Sequence, residues 1–436
     1  MERTKKSPKF WLSLIIFSLV GQVAWVMENM YFNVFIYKMF NASAEAISAM
    51  VAASAVAATV TTLLIGALSD KIGKRKLFIC LGYLCWGVSI WSFALIRTDI
   101  INALFPAAAS AASVGVTLVI IMDCVMTFFG SSANDAAFNA WLTESTDETN
   151  RGMAEGINAM MPLVAILVVF GGFMGFDQNL PQTWTLIFGI IGTVVFALGV
   201  LGFFLIEETK VDIRGNQNYF ANIFYGFRPR VIRENKVLYV TLLAYAVFGI
   251  SIQIFMPYLI LYYSVSLGME NYVLIFAPAI ILAAAFTAFY GRVYDRKGFQ
   301  ASAVPAMILL MVGYTVLYFF RSDVPVFIGT LIMLCGYLAG MAVFGAMLRD
   351  YTPENKAGMF QGQRIVGQVL IPGVIGPAIG AAVLKNAETI VNDDGTTSFV
   401  PNENIFLAAF AAAVVIWLVF VPLFQLIKKE KNHAAE

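Results

Sequence analysis

Long apolar runs separated by short polar or basic turns fill the chain from residue 11 to residue 427. Roughly 20 apolar residues span a bilayer core, and on that ruler the runs predict twelve helices. They cover residues 11–37, 46–68, 77–96, 114–142, 153–176, 184–206, 237–263, 272–293, 301–320, 324–348, 360–384 and 404–427. The turn GALSDKIGKRK, residues 66–76, is too short to hold a domain, and lipid leaves no backbone group unpaired, so the runs on either side read as consecutive membrane helices. The longest interior polar stretch, 207–236, divides the twelve into two sets of six. This predicts an N-terminal bundle over 1–206, a linker over 207–236 with an amphipathic surface helix around YFANIFYGF, and a C-terminal bundle with a tail over 237–436.

The turn at 66–76 has chemistry of its own. Gly66 and Gly73 suit close helix approach and a tight turn, Asp70 can cap or pair, and Lys71, Lys74, Arg75 and Lys76 favour the cytoplasmic side. A degenerate copy, GRVYDRKG, occupies 291–298 and carries Asp295 and Arg296. Half a chain separates the two copies, which points to an internal duplication.

Composition narrows the class. Of 436 residues, 60% are hydrophobic and 13% charged, which fits a polytopic membrane protein and no soluble one of this length. A net charge of +1 predicts no nucleic-acid partner. Cys80, Cys85, Cys124 and Cys335 all fall in apolar runs and read as small buried side chains. The single histidine, His433, lies in the polar tail, so histidine catalysis or metal binding inside the membrane is not expected. With the N-terminus inside, the inner segments hold most lysines and arginines, and the outer loops hold only Lys38, Arg97, Arg321 and Lys385. That asymmetry places both termini in the cytoplasm of a cell carrying the chain in its plasma or inner membrane.

The pattern G-x-x-x-D-[RK]-x-G-[RK]-[RK] between the second and third helices, with its echo between the eighth and ninth, resembles the signature loop of the major facilitator superfamily. The resemblance implies an all-α membrane protein with twelve transmembrane helices in two pseudo-repeated six-helix bundles. Both copies of the loop then fall on the cytoplasmic side, as a parallel duplication requires.

An ionisable group within a membrane helix is costly unless it faces a cavity or a partner, so each is a candidate for function. On the first helix, Gln22, Trp25, Asn29 and Phe32 recur at three- and four-residue spacing with Glu28 beside them. Amides, a carboxylate and rings suit hydroxyls and the apolar face of a sugar, although the same face also suits a polar clamp between helices. On the fourth helix Asp123 and Asp135 lie about 18 Å apart along the axis, too far to share one ion. Asp135 has Ser131, Ser132, Asn134 and Asn139 around it, an oxygen-rich setting for Na⁺ or a proton. Asp123 reads equally as a paired structural carboxylate or a functional one. Arg364 opens the eleventh helix near Gln361, Gln363 and Gln368, either facing a cavity or snorkelling to the interface from a helix that begins near Met359. Gln253 with Met256, Pro257 and Tyr258 is a candidate opposite wall, and Trp141 reads as an interface anchor.

The stretches NDAAFNAWLTESTDETNRG and DYTPENKAGMFQGQRIVGQ resemble the fourth-helix and eleventh-helix regions of the glycoside-pentoside-hexuronide:cation symporters. The resemblance implies Asp135 for the coupling cation and sugar hydroxyls, Glu28 for a first-helix sugar carboxylate, and Gln368 for a sugar-binding amide. The chain departs from it where sodium-coupled members carry two second-helix carboxylates, since Ala58 and Thr62 stand there. Gly373 falls near the position of a family lysine, and the fifth helix has no arginine. These departures favour H⁺ over Na⁺. A looser similarity to proton-coupled sucrose and maltose carriers is equally tolerable.

The expected protein is therefore a secondary transporter and no enzyme, a monomer in the bilayer moving a small molecule without a bound cofactor. Cation-coupled symport of a sugar or glycoside by alternating access is the first reading, with Asp135, Glu28 and Asn134 coupling the cation. Gln22, Trp25, Glu28, Asn29, Asn139, Gln253, Arg364 and Gln368 would bind substrate, and Gly66, Asp70, Gly73, Arg75, Asp295 and Arg296 form the conformational loops. Proton-coupled efflux of amphipathic or drug-like compounds is the alternative, which the 37 phenylalanines and 19 methionines keep open. Loops too short for a soluble domain and the absence of a GxxxxGK[ST] loop argue against a membrane enzyme or an ATP-driven pump.

Overall fold

A computed structural model describes residues 6–106, 110–146, 150–208, 224–269, 271–352, 360–392 and 395–435. The chain is an all-α membrane protein. Eleven helices among the described residues are long and apolar enough to cross a bilayer. The first to seventh are Pro8–Phe40, Ala44–Ser69, Arg75–Phe93, Ala111–Glu144, Met153–Phe173, Pro181–Leu205 and Lys236–Ser266. Val273–Phe319 holds the expected eighth and ninth spans in one run, turned at Gly298, whose φ of 77° and ψ of −175° only glycine adopts freely. The tenth, eleventh and twelfth are Asp323–Asp350, Gly362–Leu384 and Asn404–Glu430. The eighth and ninth spans are two helices, and one glycine makes the turn that a loop makes elsewhere.

The chain divides into two compact units, Met1–Tyr219 and Phe220–Glu436. In the first, the third and sixth helices meet backbone to backbone: a Cβ on Gly199 would lie 2.7 Å from the Leu84 nitrogen. Small residues permit that approach where lipid supplies no hydrophobic drive between helices. In the second unit the seventh helix lies against the eleventh and twelfth, and a Cβ on Gly380 would sit 2.3 Å from the Ile254 carbonyl oxygen.

The boundary between units falls inside the stretch expected as a linker, but the linker's end is not a free spacer. Residues 209–223 lie outside the described residues, with most of YFANIFYGF. Beyond them, the 3₁₀ turn Tyr225–Phe227 and the short helix Pro229–Glu234 pack into the second unit. Val231, Leu238, Leu348 and Phe360 form one apolar cluster there, Tyr239 donates a hydrogen bond to the Gly226 carbonyl, and the Gln363 amide oxygen accepts from the N–H groups of Gly226 and Phe227 at 3.0 and 3.1 Å in the orientation that satisfies its neighbours.

The expected start of the eleventh helix at Met359 lies outside the described residues, and helix is present from Gln361. Between the eleventh and twelfth helices stands a feature that the hydrophobic ruler missed. Thr389–Val391 and Thr397–Phe399 pair antiparallel, Ile390 opposite Ser398, around a turn closed by Gly395 at φ 80°. Three of the four cations expected outside have local partners: Lys38 donates to Asn179 at 3.0 Å, Arg97 pairs with Asp99 at 3.0 Å, and Arg321 with Glu403 at 2.9 Å.

Candidate functional site

The first helix is regular over Pro8–Val26 and Phe32–Phe40 and widens into a π turn over Met27–Tyr31. Such turns insert a residue into the helix and often mark functional positions. Glu28 lies on it, only 7% exposed. One carboxylate oxygen, Oε1, accepts hydrogen bonds from Ser54 of the second helix and from Thr127 of the fourth, the latter at 2.9 Å, and the two hydroxyls are themselves 2.9 Å apart. The other, Oε2, is buried and has no hydrogen-bond partner among the described residues.

The extra residue also changes the face expected of this helix. Gln22 and Trp25 are half-buried and Asn29 exposed, but Phe32 leaves them. Each added residue rotates a helix by about 100°, so the residues beyond the π turn point elsewhere. Phe32 is 1% exposed and packs on Phe93 and Phe188, with ring centroids 4.4 and 5.6 Å away.

Asp135 lies in a second π turn, Ser131–Phe138, with its Oδ2 accepting from Ser131 at 2.9 Å. Its expected companions divide. Asn134 is 4% exposed, donates to the Tyr83 hydroxyl at 2.9 Å and accepts from the Trp25 indole at 3.4 Å, so its amide joins the first, third and fourth helices. Asn139 is exposed and donates to the Asp135 carbonyl at 3.2 Å. Ser132 donates to the Phe128 carbonyl at 2.6 Å. Ser131 is thus the only one of the four neighbours whose side chain reaches the carboxylate among the described contacts.

Asp123 is 1% exposed, its Oδ1 without a hydrogen-bond partner among the described residues. It interacts electrostatically with Glu28, which also feels Asp135. Glu28 therefore links two aspartates that the fourth helix keeps apart. Spacing along that helix showed their separation, but nothing in the sequence showed that Glu28 interacts with both. Ser54 and Thr127 were missed as well; Thr127 lies one turn after Asp123, the signal that a shared face would have given.

In the second unit Arg364 is half-buried, its Nε without a partner among the described residues, and it interacts electrostatically with Tyr245 and Arg349. Gln368 lies in a further π turn, Val366–Leu370. Gln253 packs on the eleventh helix, where a Cβ on Gly376 would come within 2.5 Å of its own Cβ. Pro257 and Tyr258 are buried in a 3₁₀ break of the seventh helix, and the Tyr258 hydroxyl reaches the Pro377 carbonyl at 3.3 Å. The side chain of Gln361 lies outside the described residues.

The signature turn is built differently from its expected form. Gly73 ends the second helix in the left-handed region, φ 70° and ψ 16°, as a tight turn requires. Among the described residues nothing lies within 4 Å of where a Cβ on Gly66 would go, so none of them packs closely against it. Arg75 is no cytoplasmic surface charge: it is 3% exposed, its Nη2 pairs with Glu144 at 2.5 Å and its Nη1 donates to Ser69 at 2.6 Å. Its partner sits at the C-terminal end of the fourth helix. The Asp70 side chain lies outside the described residues. In the second copy Asp295 and Arg296 are exposed, and the contact to the tenth helix is a hydrogen bond from Tyr294 to Asp350 at 2.5 Å. Trp141 is 2% exposed, lies against Phe10 and Phe138 and donates to the Glu207 carbonyl at 3.0 Å, so it is a packing residue of the first unit.

Two surface clefts of this unit, lined by Arg97, Thr185 and Thr193 and by Lys38, Asp99 and Trp184, include none of Glu28, Asp123 or Asp135. Two bundles of membrane helices, each with polar groups lodged on π turns inside them, are the architecture of a membrane carrier. The chain belongs to the Major Facilitator Superfamily, whose model matches residues 10–377. It is a transporter and not an enzyme. A search of curated protein sequences finds no match. Among solved structures, a variant of the nucleoside transporter NupG is 12% identical, with 95% of this chain and 99% of that one covered and a TM-score of 0.71. The xylose transporter XylE from E. coli in a partially occluded, inward-open state is 12% identical over 94% and 98% of the two chains, TM-score 0.69. A bacterial homologue of the human lysosomal transporter Spinster is 14% identical over 97% and 98%, TM-score 0.69. At such identities the likeness is one of fold.

Proposed function

We propose that the protein is a secondary active transporter that couples the entry of a sugar or glycoside to H⁺ by alternating access, as a monomer in the plasma membrane with both termini cytoplasmic. The observation that carries the reading is Glu28, a buried carboxylate on a π turn of a helix whose Gln22, Trp25 and Asn29 stay accessible. Amides and an indole offer hydrogen bonds and a stacking plane to a polyhydroxylated ring, and an adjacent carboxylate that changes charge lets the ion gate the loaded carrier. Among the structural relatives are a D-xylose–proton symporter and a nucleoside transporter, which supports a polar, ring-shaped cargo. Asp135, Glu28 and Asn134 are the coupling group in this proposal, with Asn139, Gln253, Arg364 and Gln368 as further substrate contacts.

The test is uptake of labelled mono- and disaccharides into proteoliposomes under an imposed H⁺ gradient and then a Na⁺ gradient. Accumulation driven by H⁺ and abolished by Asp135→Asn is the expected result. No accumulation of any sugar under either gradient overturns the sugar reading in favour of efflux of amphipathic compounds.

A further inference from the structure

We propose that the first unit holds one glycerophospholipid where its first, third and sixth helices end, the phosphate between Lys38 and Arg97 and an acyl chain in a groove along the sixth helix. Two surface clefts meet there, because Arg97 and Thr185 line both. The first is polar at its rim and includes Lys38, Asp99 and Asn179. The second runs along the sixth helix from Gln182 to Val194 on residues three and four apart, which is one face of that helix. Its length is about 18 Å at 1.5 Å per residue, against about 15 Å for one leaflet of the hydrocarbon core. Leu186, Ile190 and Val194 are exposed along it, and Gly189 leaves a notch: among the described residues nothing lies within 4 Å of where its Cβ would go. Lys38 lies near the end of the first span at Phe40, Arg97 just beyond the third at Phe93, and Gln182 at the start of the sixth at Pro181. The cations therefore stand at headgroup level, and the groove descends from them into hydrocarbon.

The charges indicate which headgroup chemistry fits. Lys38 is half-buried, and its one hydrogen bond among the described residues goes to the neutral Asn179 side-chain oxygen at 3.0 Å. It makes no salt bridge among them, whereas Lys9, Arg75 and Arg97 of the same unit each make one. An ammonium carries three donors, so two stay open for an anion. Arg97 gives its Nε and Nη2 to Asp99 at 3.0 and 3.1 Å, which leaves Nη1. Guanidinium and ammonium on one cleft suit phosphate oxygens, and a surface pair two residues apart is weak enough for a phosphate to join. Asp99 on the cleft, and Asp177, which acts on Lys38 electrostatically, offset part of the positive charge. A phosphodiester with one negative charge therefore fits better than a multiply charged group. A free phosphate ion would leave the apolar groove unfilled; a phospholipid fills both clefts at once.

Native mass spectrometry of the purified full chain counts the lipids that remain bound as lipid is added in neutral detergent. The probes are phosphatidylglycerol and a monoglucosyl diacylglycerol with the same chains and no phosphate. The parent retains one phosphatidylglycerol, and the phosphate-free lipid about tenfold more weakly. Lys38→Gln and Arg97→Gln each weaken phosphatidylglycerol by about tenfold, and Arg321→Gln in the second unit leaves it unchanged. Gly189→Leu places a side chain in the groove: it weakens long-chain phosphatidylglycerol, keeps the parent's affinity for a six-carbon-chain form, and keeps the parent's Tm. Should Lys38→Gln fail to fold, Arg97→Gln and Gly189→Leu carry the test. Retention of the phosphate-free lipid equal to or above that of phosphatidylglycerol, or parent-like retention of long-chain phosphatidylglycerol in Lys38→Gln, Arg97→Gln or Gly189→Leu, overturns the proposal. The lipid site stands or falls without reference to the transported compound.

Discussion

The two copies of the signature turn share a sequence pattern and hold their units together by different physics. In GALSDKIGKRK the turn is locked to the fourth helix by the buried Arg75–Glu144 pair, with Ser69 taking a second guanidinium nitrogen. Aligned on its glycines, GRVYDRKG places Tyr294 where Ser69 stands and an exposed Gln300 where Arg75 stands. Among the described residues its link to the tenth helix runs through the Tyr294 hydroxyl, which reaches Asp350 at 2.5 Å and the Met347 sulfur at 3.8 Å, with Asp295, Arg296 and Lys297 left in solvent. The backbones diverge too: Gly73 is left-handed at φ 70° and ψ 16°, and Gly298 has φ 77° with an extended ψ of −175°. A buried ion pair is destroyed by the loss of either member, whereas a half-exposed hydrogen bond is mostly replaced by water. The first copy is therefore a clamp and the second a tether.

The sharpest way to break that contrast is Glu144→Gln, which takes the carboxylate away from a buried guanidinium. A loss of about 3–5 kcal/mol is expected in denaturant unfolding of the purified protein. The double variant Arg75→Gln, Glu144→Gln makes the first copy resemble the second and should lose less than either single change, because no charge is stranded. Next comes Gly298→Ala, which forces a side chain into a backbone region open to glycine and costs roughly 1–3 kcal/mol. Gly73→Ala, in the milder left-handed region, should cost about 1–2 kcal/mol by the same measurement. Tyr294→Phe removes the tether and should cost about 0.5–1.5 kcal/mol. The smallest effect has the opposite sign: Gly66→Ala fills open space within a helix and should raise stability by about 0.5–1 kcal/mol. If Tyr294→Phe proved as damaging as Glu144→Gln, the distinction between clamp and tether would fail.

The fold was legible because its evidence is local. A run of about 20 apolar residues states its own length and partner phase, lipid, without reference to any other segment. The eighth and ninth spans were found together with the turn between them in GRVYDRKG, and what the ruler did not show is that Gly298 alone makes that turn. Glu28 was legible as a charge where charge is expensive. Its partners were not, because Ser54 looks like any small residue in AASAVAATV and Thr127 like any spacer in DCVMTFF. Arg75 was legible as a charge of the turn, but its burial was not, for a related reason. The count of lysines and arginines that sets topology treats all of them as solvated, and only the position of Glu144 after folding shows that this one is buried.

The π turn at Met27–Tyr31 means that the first helix is written in two frames. Residues up to Val26 are read in one, and those from Phe32 onward in another, offset by about one residue of rotation. Deleting a single residue within 27–31 would merge the frames and swing Phe35, with Phe40 against it, away from Trp184 and Phe188, although no residue outside the deletion had changed. For this helix, then, the length of the segment is as much a part of its information as the identity of the residues that fill it.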